Sequence, residues 1–403
     1  MKSHKLKLDT VLELKDAFGK TKLKTILNSR TIKENTIDII KFNKRGHILS
    51  EIYNMPMRSL LKNQMGLYYY HFGNNPSFPT SPTDLRVRNY NNAVGNQSVF
   101  TLISNGTTDQ GGIRASTGST AVGLMDYNLP GTLLGYGSGT NQLNHSSMTT
   151  NAIVQEGASY KLTAYRTLTN NSGASITIQS LGCLRNSNMA TLSDMVLCAS
   201  DRVLKNGNPI SITLNNTESI RILYNFYFDL SEGAVKALAQ IHYNGALANT
   251  STGGTSLDVD GDLVFAGSLN NNTHQTCRLV NAAGSDYGIR VGTGTNTVTV
   301  DDYQIDGLIG IGTGAGQLTS LATEIGEVLN KVDESITFTI RRLFINDHVD
   351  TITVNNYGVI ARNWSAYQAF ENRRMLYIKK RTAPIPIANL ESLEVAQRFT
   401  IEV

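Results

Sequence analysis

A segment of more than a hundred residues occurs twice in this chain, and this internal repeat constrains the fold more than any other feature. Residues 112–131 align with residues 288–307 at an offset of 176, with nine identities in twenty positions. Composition alone would give about one or two identities. The match continues in order beyond these residues, so we infer a duplicated domain and not a chance motif.

The residues that both copies share are those typical of turns and strand ends. An Asp kept by both halves is better explained by a turn, where it caps backbone N–H groups, than by catalysis. For Arg166 and Arg342, a structural pairing with a carboxylate or carbonyl is favoured over ligand binding. The shared determinants are Arg114, Asp126, Tyr127, Arg166 and Gly182 in the first copy, and Arg290, Asp302, Tyr303, Arg342 and Gly358 in the second.

Alternation of polar and apolar residues with period two predicts β-strands in the repeated segments, as in residues 160–166 and 336–342. Each of these strands is followed by turn residues and then by another β-branched strand, starting at Ser175 or Thr351, which predicts a hairpin. Each copy ends on a further predicted hairpin. These pair residues 209–214 with 219–228, and residues 384–390 with 394–403.

This density of strands predicts a mainly β fold, with two tandem antiparallel β-sandwich (jelly-roll-like) domains, short helices and an N-terminal arm. The predicted boundaries are a basic arm at 1–50, a first copy at 51–228 and a second copy at 229–403. Apolar residues at helical spacing predict short helices at 57–65, 231–241, 318–329 and 364–373.

The predicted arm carries a concentrated positive charge, with twelve Lys or Arg against five Asp or Glu in residues 1–50. Residues 11–14 and 22–27 flank Gly19 and predict a hairpin, and residues 36–42 predict a third strand. Lysine-rich arms are mostly solvated, so we do not expect nucleic acid as a partner. We expect the arm to dock onto a neighbouring subunit, and its deletion to leave both sandwiches folded.

Cysteine content and hydropathy bear on where the chain folds. Three cysteines without paired spacing, Cys183, Cys198 and Cys277, are typical of a reducing compartment with buried thiols. The N-terminal residues show no secretory signal, and no apolar run approaches eighteen residues, so we expect folding in the cytoplasm and no membrane partner.

Glycine-rich and acidic motifs were tested for ligand chemistry. Residues 310–316 and 135–139 lack both the third glycine of a dinucleotide fingerprint and the Gly-Lys-Ser/Thr of a P-loop, so no cofactor is expected. Asp258, Asp260 and Asp262 resemble the start of a calcium loop, but Leu269 stands where its bidentate Glu should be. An acidic turn is favoured, and these three residues remain only a weak metal candidate.

No catalytic constellation is recognisable in the sequence. The seven histidines form no His-x-x-x-His pair, and no Gly-x-Ser-x-Gly elbow occurs. We therefore expect no enzymatic activity and assign no catalytic residue. A depolymerase is the weakest hypothesis, because no carboxylate pair recurs at suitable spacing.

The order of the repeated motifs resembles a family of virion structural proteins from tailed bacteriophages. The pattern runs Gly-Ile-Arg-x-x-Thr-Gly, Asp-Tyr-x-Leu/Ile and Gly-x-Gly-x-x-Gln-Leu, then a strand ending in Arg and an Asn-Asn-Ser-Gly turn. Residues 59–226 match it most fully. Residues 346–350 and 115–118 depart from it, both in loops, which puts any shared loop function in doubt.

The resemblance implies a bacteriophage structural protein of the virion, folded in the host cytoplasm. It would assemble by contacts with capsid, connector or tail subunits, as a capsid decoration or cement protein or at the head–tail or tail region. Two similar copies suit a homo-oligomer on a symmetric surface. The alternative is a tail- or head-fibre protein that binds host glycans, with Tyr136, Tyr165, Tyr357 and Tyr367 as candidate aromatic platforms.

Overall fold

The architecture is that of a mainly β protein, and the elements of the described residues are all β-strands. A computed structural model describes residues 5–28, 35–57, 63, 90–92, 100–101, 111–150, 154–156, 159–187, 195–229, 288–296, 305–322, 324–330, 335–362 and 373–402. The predicted fold class is therefore confirmed as mainly β, with several multi-stranded, sandwich-like sheets.

The strands fall into an N-terminal group and two further groups that correspond to the repeated segments. The N-terminal group is β1 (Lys5–Lys15), β2 (Thr21–Asn28), β3 (Thr36–Phe42) and β4 (Ile48–Pro56). The next group is β5 (Phe100–Thr101), β6 (Gly112–Ser116), β7 (Gly135–Tyr136), β8 (Gln142–His145), β9 (Thr149–Thr150), β10 (Val154–Glu156), β11 (Ser159–Thr169), β12 (Ile176–Ile178), β13 (Ser180–Ser187), β14 (Val196–Arg202), β15 (Leu204–Lys205), β16 (Asn208–Pro209), β17 (Ile212–Leu214) and β18 (Ser219–Asp229). The last group is β19 (Gly288–Gly292), β20 (Gly310–Ile311), β21 (Gln317–Ser320), β22 (Glu324–Asn330), β23 (Ser335–Ile345), β24 (Ile352–Arg362), β25 (Arg373–Ile387) and β26 (Ser392–Glu402).

Two large sheets have the same strand order. The first sheet runs β4-β3-β18-β11-β8-β7, and the second sheet runs β2-β1-β26-β23-β21-β20. Both end in the same unusual feature, a short parallel pair formed by β7 with β8 and by β20 with β21. Smaller sheets accompany each of them, β6-β13-β14 in the first copy and β19-β24-β25 in the second. The repeat seen in the sequence is thus also a repeat of strand pairing.

The N-terminal strands form two hairpins, of which the first extends the second large sheet and the second extends the first large sheet. The hairpin of β1 and β2 joins the second sheet, where β1 pairs along its whole length with the C-terminal strand β26. The hairpin of β3 and β4 joins the first sheet through β18. The predicted boundary at residue 50 therefore falls inside a strand, and residues 5–28 and 36–56 are paired with the sheets.

The two hairpins turn through the same five-residue loop. In residues 16–20, the Asp16 carboxylate accepts the backbone N–H groups of Phe18 and Lys20 at 3.0 and 2.9 Å. In residues 43–47, the Asn43 side chain accepts the N–H groups two and four residues later at 2.8 and 3.0 Å. A short side-chain acceptor at the start of a turn is the usual way to fix such a loop.

The hairpins predicted around residues 160–178 and 209–228 are wrong, and so are their counterparts in the second copy. β11 does not pair with β12, because β11 pairs with β18 while β12 pairs with β17. In the second copy β23 pairs with β26, while β24 pairs with β25. The turns at 170–175, 215–218, 346–351 and 388–391 are therefore arch loops, which carry the chain from one sheet to another.

Of the four predicted helices, one is wrong and three cannot be assigned. Residues 318–329 form β21 and β22 with a short break between them. The predicted helices at 57–65, 231–241 and 364–373 lie wholly or almost wholly outside the described residues.

Alternating apolar side chains of the large sheets supply the core. In the hairpins, Leu12 and Leu14 of β1 and Ile37 and Ile39 of β3 are buried. Full burial of such a side chain stabilises the fold by about 1.5–3 kcal/mol. The hairpins are therefore integral to the core, and their removal would expose apolar surface in both sheets.

Candidate functional site

A buried asparagine organises the arch loops in each copy. Asn170 is fully buried, and its Nδ2 donates to the carbonyl oxygens of Ala174 and Leu214 at 2.7 and 2.8 Å. Its Oδ1 accepts the backbone N–H of Ser172 at 3.0 Å. Because Leu214 precedes the other arch loop, one side chain ties the two sheet crossings together.

The second copy repeats this arrangement. Asn346 Nδ2 donates to the carbonyl oxygens of Asp350 and Ile387, again at 2.7 and 2.8 Å. Its Oδ1 accepts the N–H of His348 at 3.0 Å. The departure from the Asn-Asn-Ser-Gly turn therefore leaves these three hydrogen bonds in place, because both copies keep the asparagine.

A carboxylate on the second arch loop fixes the nearby hairpin in each copy. Glu218 pairs with Lys41 of β3 at 2.7 Å and also accepts the N–H of Asn215. Burial would raise the pKa of Glu218, but the hydrogen bonds from Lys41 and Asn215 outweigh it and lower that pKa. The N-terminal hairpin is thus held to the first sheet by charge as well as by strand pairing.

In the second copy the lysine comes from the other strand of the hairpin. Lys22 of β2 pairs with Glu391, which also accepts the N–H of Ala388 at 3.0 Å. The hydrogen bond from Lys22 is the main cause that lowers the pKa of Glu391. The two copies therefore form an equivalent ion pair with lysines from different strands of the hairpin.

Arg166 links the first sheet to β6, the strand that begins with the Gly-Ile-Arg motif. The side chain is fully buried, and it donates to the carbonyl oxygens of Ser146 and Gly111, both at 2.8 Å. A Cβ on Gly112, whose φ is +89°, would lie 2.7 Å from Met148 and 3.2 Å from Arg166. The motif thus needs glycine for both its conformation and the close approach of the arginine.

Arg342 occupies the corresponding position in the second copy and is also buried. It donates to the carbonyl of Ile289 at 3.1 Å, to Ser320 Oγ at 2.7 Å and to the carbonyl of Leu321 at 3.3 Å. Arg290, also buried, donates to the carbonyl of Ile309 at 2.6 Å. Contacts with backbone carbonyls are the kind of structural pairing that the sequence favoured for Arg166 and Arg342.

The glycine-rich loops are occupied by a glutamine side chain of the same chain. Gln142 Oε1 accepts the N–H of Gly139 at 2.8 Å, and Gln317 Oε1 accepts the N–H of Gly314 at 3.2 Å. A Cβ on Gly137 would lie 2.4 Å from Gln142 Oε1. The amide groups that a phosphate loop would offer to a ligand therefore serve to close the loop.

The remaining repeat determinants are also placed in turns and strands where the structure describes them. Asp126 accepts the N–H of Gly123 at 2.8 Å and so closes a turn, beside Tyr127. Gly182 lies in the middle strand β13, where a Cβ would come within 2.9 Å of the Ala199 carbonyl oxygen. Gly358 occupies the middle strand β24. Asp302 and Tyr303 lie outside the described residues.

Four further side chains, three of them polar or charged and one a cysteine, are buried inside the first copy. Arg114 and Tyr224 are fully buried, and Cys183 and Asp201 are almost so. Burial, followed by the nearby Cys183 and Asp201, raises the pKa of Tyr224 well above its ordinary value, so its hydroxyl stays neutral. These side chains therefore belong to the interior of the first copy.

The candidate glycan platforms differ in exposure. Tyr357 is buried and cannot serve as a platform. Tyr165 is partly exposed on the outer face of the first sheet, with the Arg221 guanidinium 5.5 Å from its ring, and Tyr136 packs edge-on against His145. Tyr367 lies outside the described residues.

Metal and membrane features can be judged only for the described part of the chain. Asp258, Asp260 and Asp262 lie outside it, as does Cys277, whereas Cys183 and Cys198 are buried thiols. Within the described ranges no group of three metal-ligating side chains occurs. The same ranges contain no helix long and apolar enough to cross a membrane.

Sequence reasoning missed Asn170, Glu218 and their counterparts in the arch loops. Their signal was nevertheless present, because Asn346 lies at the offset of 176 from Asn170, and Glu391 lies 173 residues after Glu218. Treating every polar identity between the copies as a candidate buried contact would have found them.

No protein-family model, curated protein or solved structure matches this chain.

Proposed function

We propose that the chain is a structural protein of a tailed-bacteriophage virion. It folds in the host cytoplasm and assembles by protein–protein contacts on the capsid surface or at the head–tail or tail region. The proposal starts from the motif order that resembles virion proteins, and it gains support from how the repeated residues are used.

The observation that carries the proposal is that the shared polar residues hold the protein itself together. Arg166, Arg342, Asn170 and Asn346 all point into the fold and bond to backbone carbonyls. Such residues build a rigid β scaffold twice within one chain. The exposed loops that differ between the copies are then left for contacts with other subunits, as an assembly protein requires.

The proposal is tested on particles purified from the phage that encodes the chain. We expect quantitative mass spectrometry to find the chain as a stoichiometric particle component that survives density-gradient purification. A chain recovered only from the lysate, and never with particles, would refute the proposal. A glycan array with the purified chain addresses the fibre alternative, which binding to host-surface glycans would favour.

A further inference from the structure

The matched loops of the two copies form corresponding tips. The first tip comprises the hairpin turn 43–47 and the arch loops 170–175 and 215–218. The second tip comprises the turn 16–20 and the arch loops 346–351 and 388–391. Hydrogen bonds join the arch loops within each tip, for example from Thr217 N to Asn170 O at 2.6 Å and from Leu390 N to Asn346 O at 2.7 Å.

Strand register places each hairpin turn beside these arch loops. Phe42, which precedes the first turn, pairs with Ser219, which follows loop 215–218. Lys15, which precedes the second turn, pairs with Ser392, which follows loop 388–391. Each tip is therefore a single surface built from three loops on the same backbone plan.

The second tip exposes large apolar side chains where the first tip has polar or small ones. Phe18 is 95% exposed, Val349 is 77% exposed and Leu390 is 57% exposed. Leu390 also has a φ of 64°, a left-handed conformation that leucine rarely adopts. The corresponding residues of the first tip are Arg45, Gly173 and Thr217.

The two tips also differ in charge. In the second tip the carboxylates of Asp16, Asp347 and Asp350 replace neutral residues of the first tip, namely Asn43, Asn171 and Ala174. The first tip instead carries Lys44 and Arg45, with His47 beside them, all exposed. The second tip also carries Lys20 and Glu391, and its net charge is −3. The first tip also carries Glu218, and its net charge is +1. One tip is thus apolar with a net negative charge, and the other has a net positive charge.

Apolar surface adjoins the basic tip as well. Ile48 and Leu49, which follow the turn directly, are 54% and 48% exposed. Their counterparts beside the second turn are Thr21 and Lys22. Each tip therefore offers an apolar patch beside charged side chains, and the net charges of the two tips are opposite in sign.

We infer that the second tip of one chain docks on the first tip of another copy of the same chain. The contact is heterologous, so a pair of chains keeps one free tip of each kind, and repetition of the contact gives a ring or a filament. Charge complementarity steers this pairing and disfavours contacts between identical tips. The inference takes its biological meaning from the proposed assembly function, but it concerns the purified chain alone.

The test measures the mass of the full chain by light scattering during size-exclusion chromatography, across the accessible concentration range. We expect wild type to form multiples of 44.0 kDa that dissociate as salt is raised, because exposed charges are screened. The variant Phe18→Arg, Val349→Gly, Leu390→Thr gives the second tip the residues that the first tip has at these three positions. We expect this triple variant to be monomeric and to have the same circular dichroism spectrum as wild type.

Charge reversal separates this contact from its alternatives. A chain with Asp347→Lys and Asp350→Lys has two basic tips, and a chain with Lys44→Glu and Arg45→Glu has two acidic tips. We expect each chain to be monomeric alone, and a mixture of both to assemble. If only the first reversal removed assembly, the second tips would be pairing with each other. A monomeric wild type, or a mixture that fails to assemble, would also overturn the inference.

Discussion

Replacement of the arch-loop asparagines tests the equivalence of the two copies most stringently. In Asn170→Ala the chain loses two hydrogen bonds from a buried Nδ2 and two to Oδ1, from the N–H and the hydroxyl of Ser172. At about 0.5–1.5 kcal/mol for each hydrogen bond, the loss of unfolding free energy is about 2–6 kcal/mol. Asn346→Ala removes the three bonds to and from Asn346, so a loss of about 1.5–4.5 kcal/mol is expected in the second copy.

The assay is urea denaturation followed by circular dichroism, with hydrogen exchange to locate the effect. Asn170→Ala should speed exchange in residues 159–187 and 195–229, and Asn346→Ala should do so in residues 335–362. The exposed neighbour Asn171 provides the control, because Asn171→Ala should change stability by less than about 0.5 kcal/mol. The reasoning is refuted if either asparagine variant is as stable as wild type, or if both loosen the same copy.

Three further predictions concern the hairpins and the glycine-rich loops. Because the pKa of Glu391 is lowered in the folded chain, the stability from its pair with Lys22 is present above the unfolded pKa of about 4.3 and is lost as pH falls below it. Glu391→Gln should therefore show a smaller drop in urea midpoint than wild type between neutral and acidic pH, and equal drops would contradict a stabilising ion pair. Gln317→Ala should lower stability by about 1 kcal/mol by thermal melting, because the N–H of Gly314 loses its acceptor; no change would mean that water replaces the side chain. Deletion of residues 1–28 should make the second sheet sensitive to protease while the first stays protected, and resistance of both would show that this hairpin is dispensable.

The sequence predicted where the strands lie better than which strands pair with one another. Period-two alternation in residues 160–166 identified a strand, but turn residues followed by another strand look the same in a hairpin and in an arch loop. The difference lies in a contact with a residue far along the chain, from Asn170 to Leu214. Local pattern carries no such information, which is why all four predicted hairpins within the copies were wrong.

In the arm, the hairpin of residues 11–14 with 22–27 and the strand at 36–42 were predicted correctly, but their pairing with the large sheets was not. The lysines of the arm are conspicuous in the sequence, and they indicated a solvated segment. The burial of Leu12 and Leu14 decides the outcome instead, because it makes the hairpin part of a core. The partner of that hairpin, β26, is at the other end of the chain, where no local signal points to it.

The repeat determinants can be followed from the sequence into the structure. The offset of 176 identified Arg166 and Arg342, and the structure places both in buried contacts with backbone carbonyls. The glycine-rich loops lack the residue spacing of phosphate loops. Their actual closure by Gln142 and Gln317 was visible in the sequence only as a repeated Gln-Leu pair.

The proposed virion function is tested most directly by a cryo-EM map of the virus particle to which the proposal assigns the chain. The account predicts density for the chain at defined positions on the particle, with two sheets of the same strand order, the first N-terminal hairpin on the second sheet and the second hairpin on the first. Contacts with neighbouring subunits should involve the exposed loops that differ between the copies. A map in which every protein is assigned and this chain is missing would contradict the account.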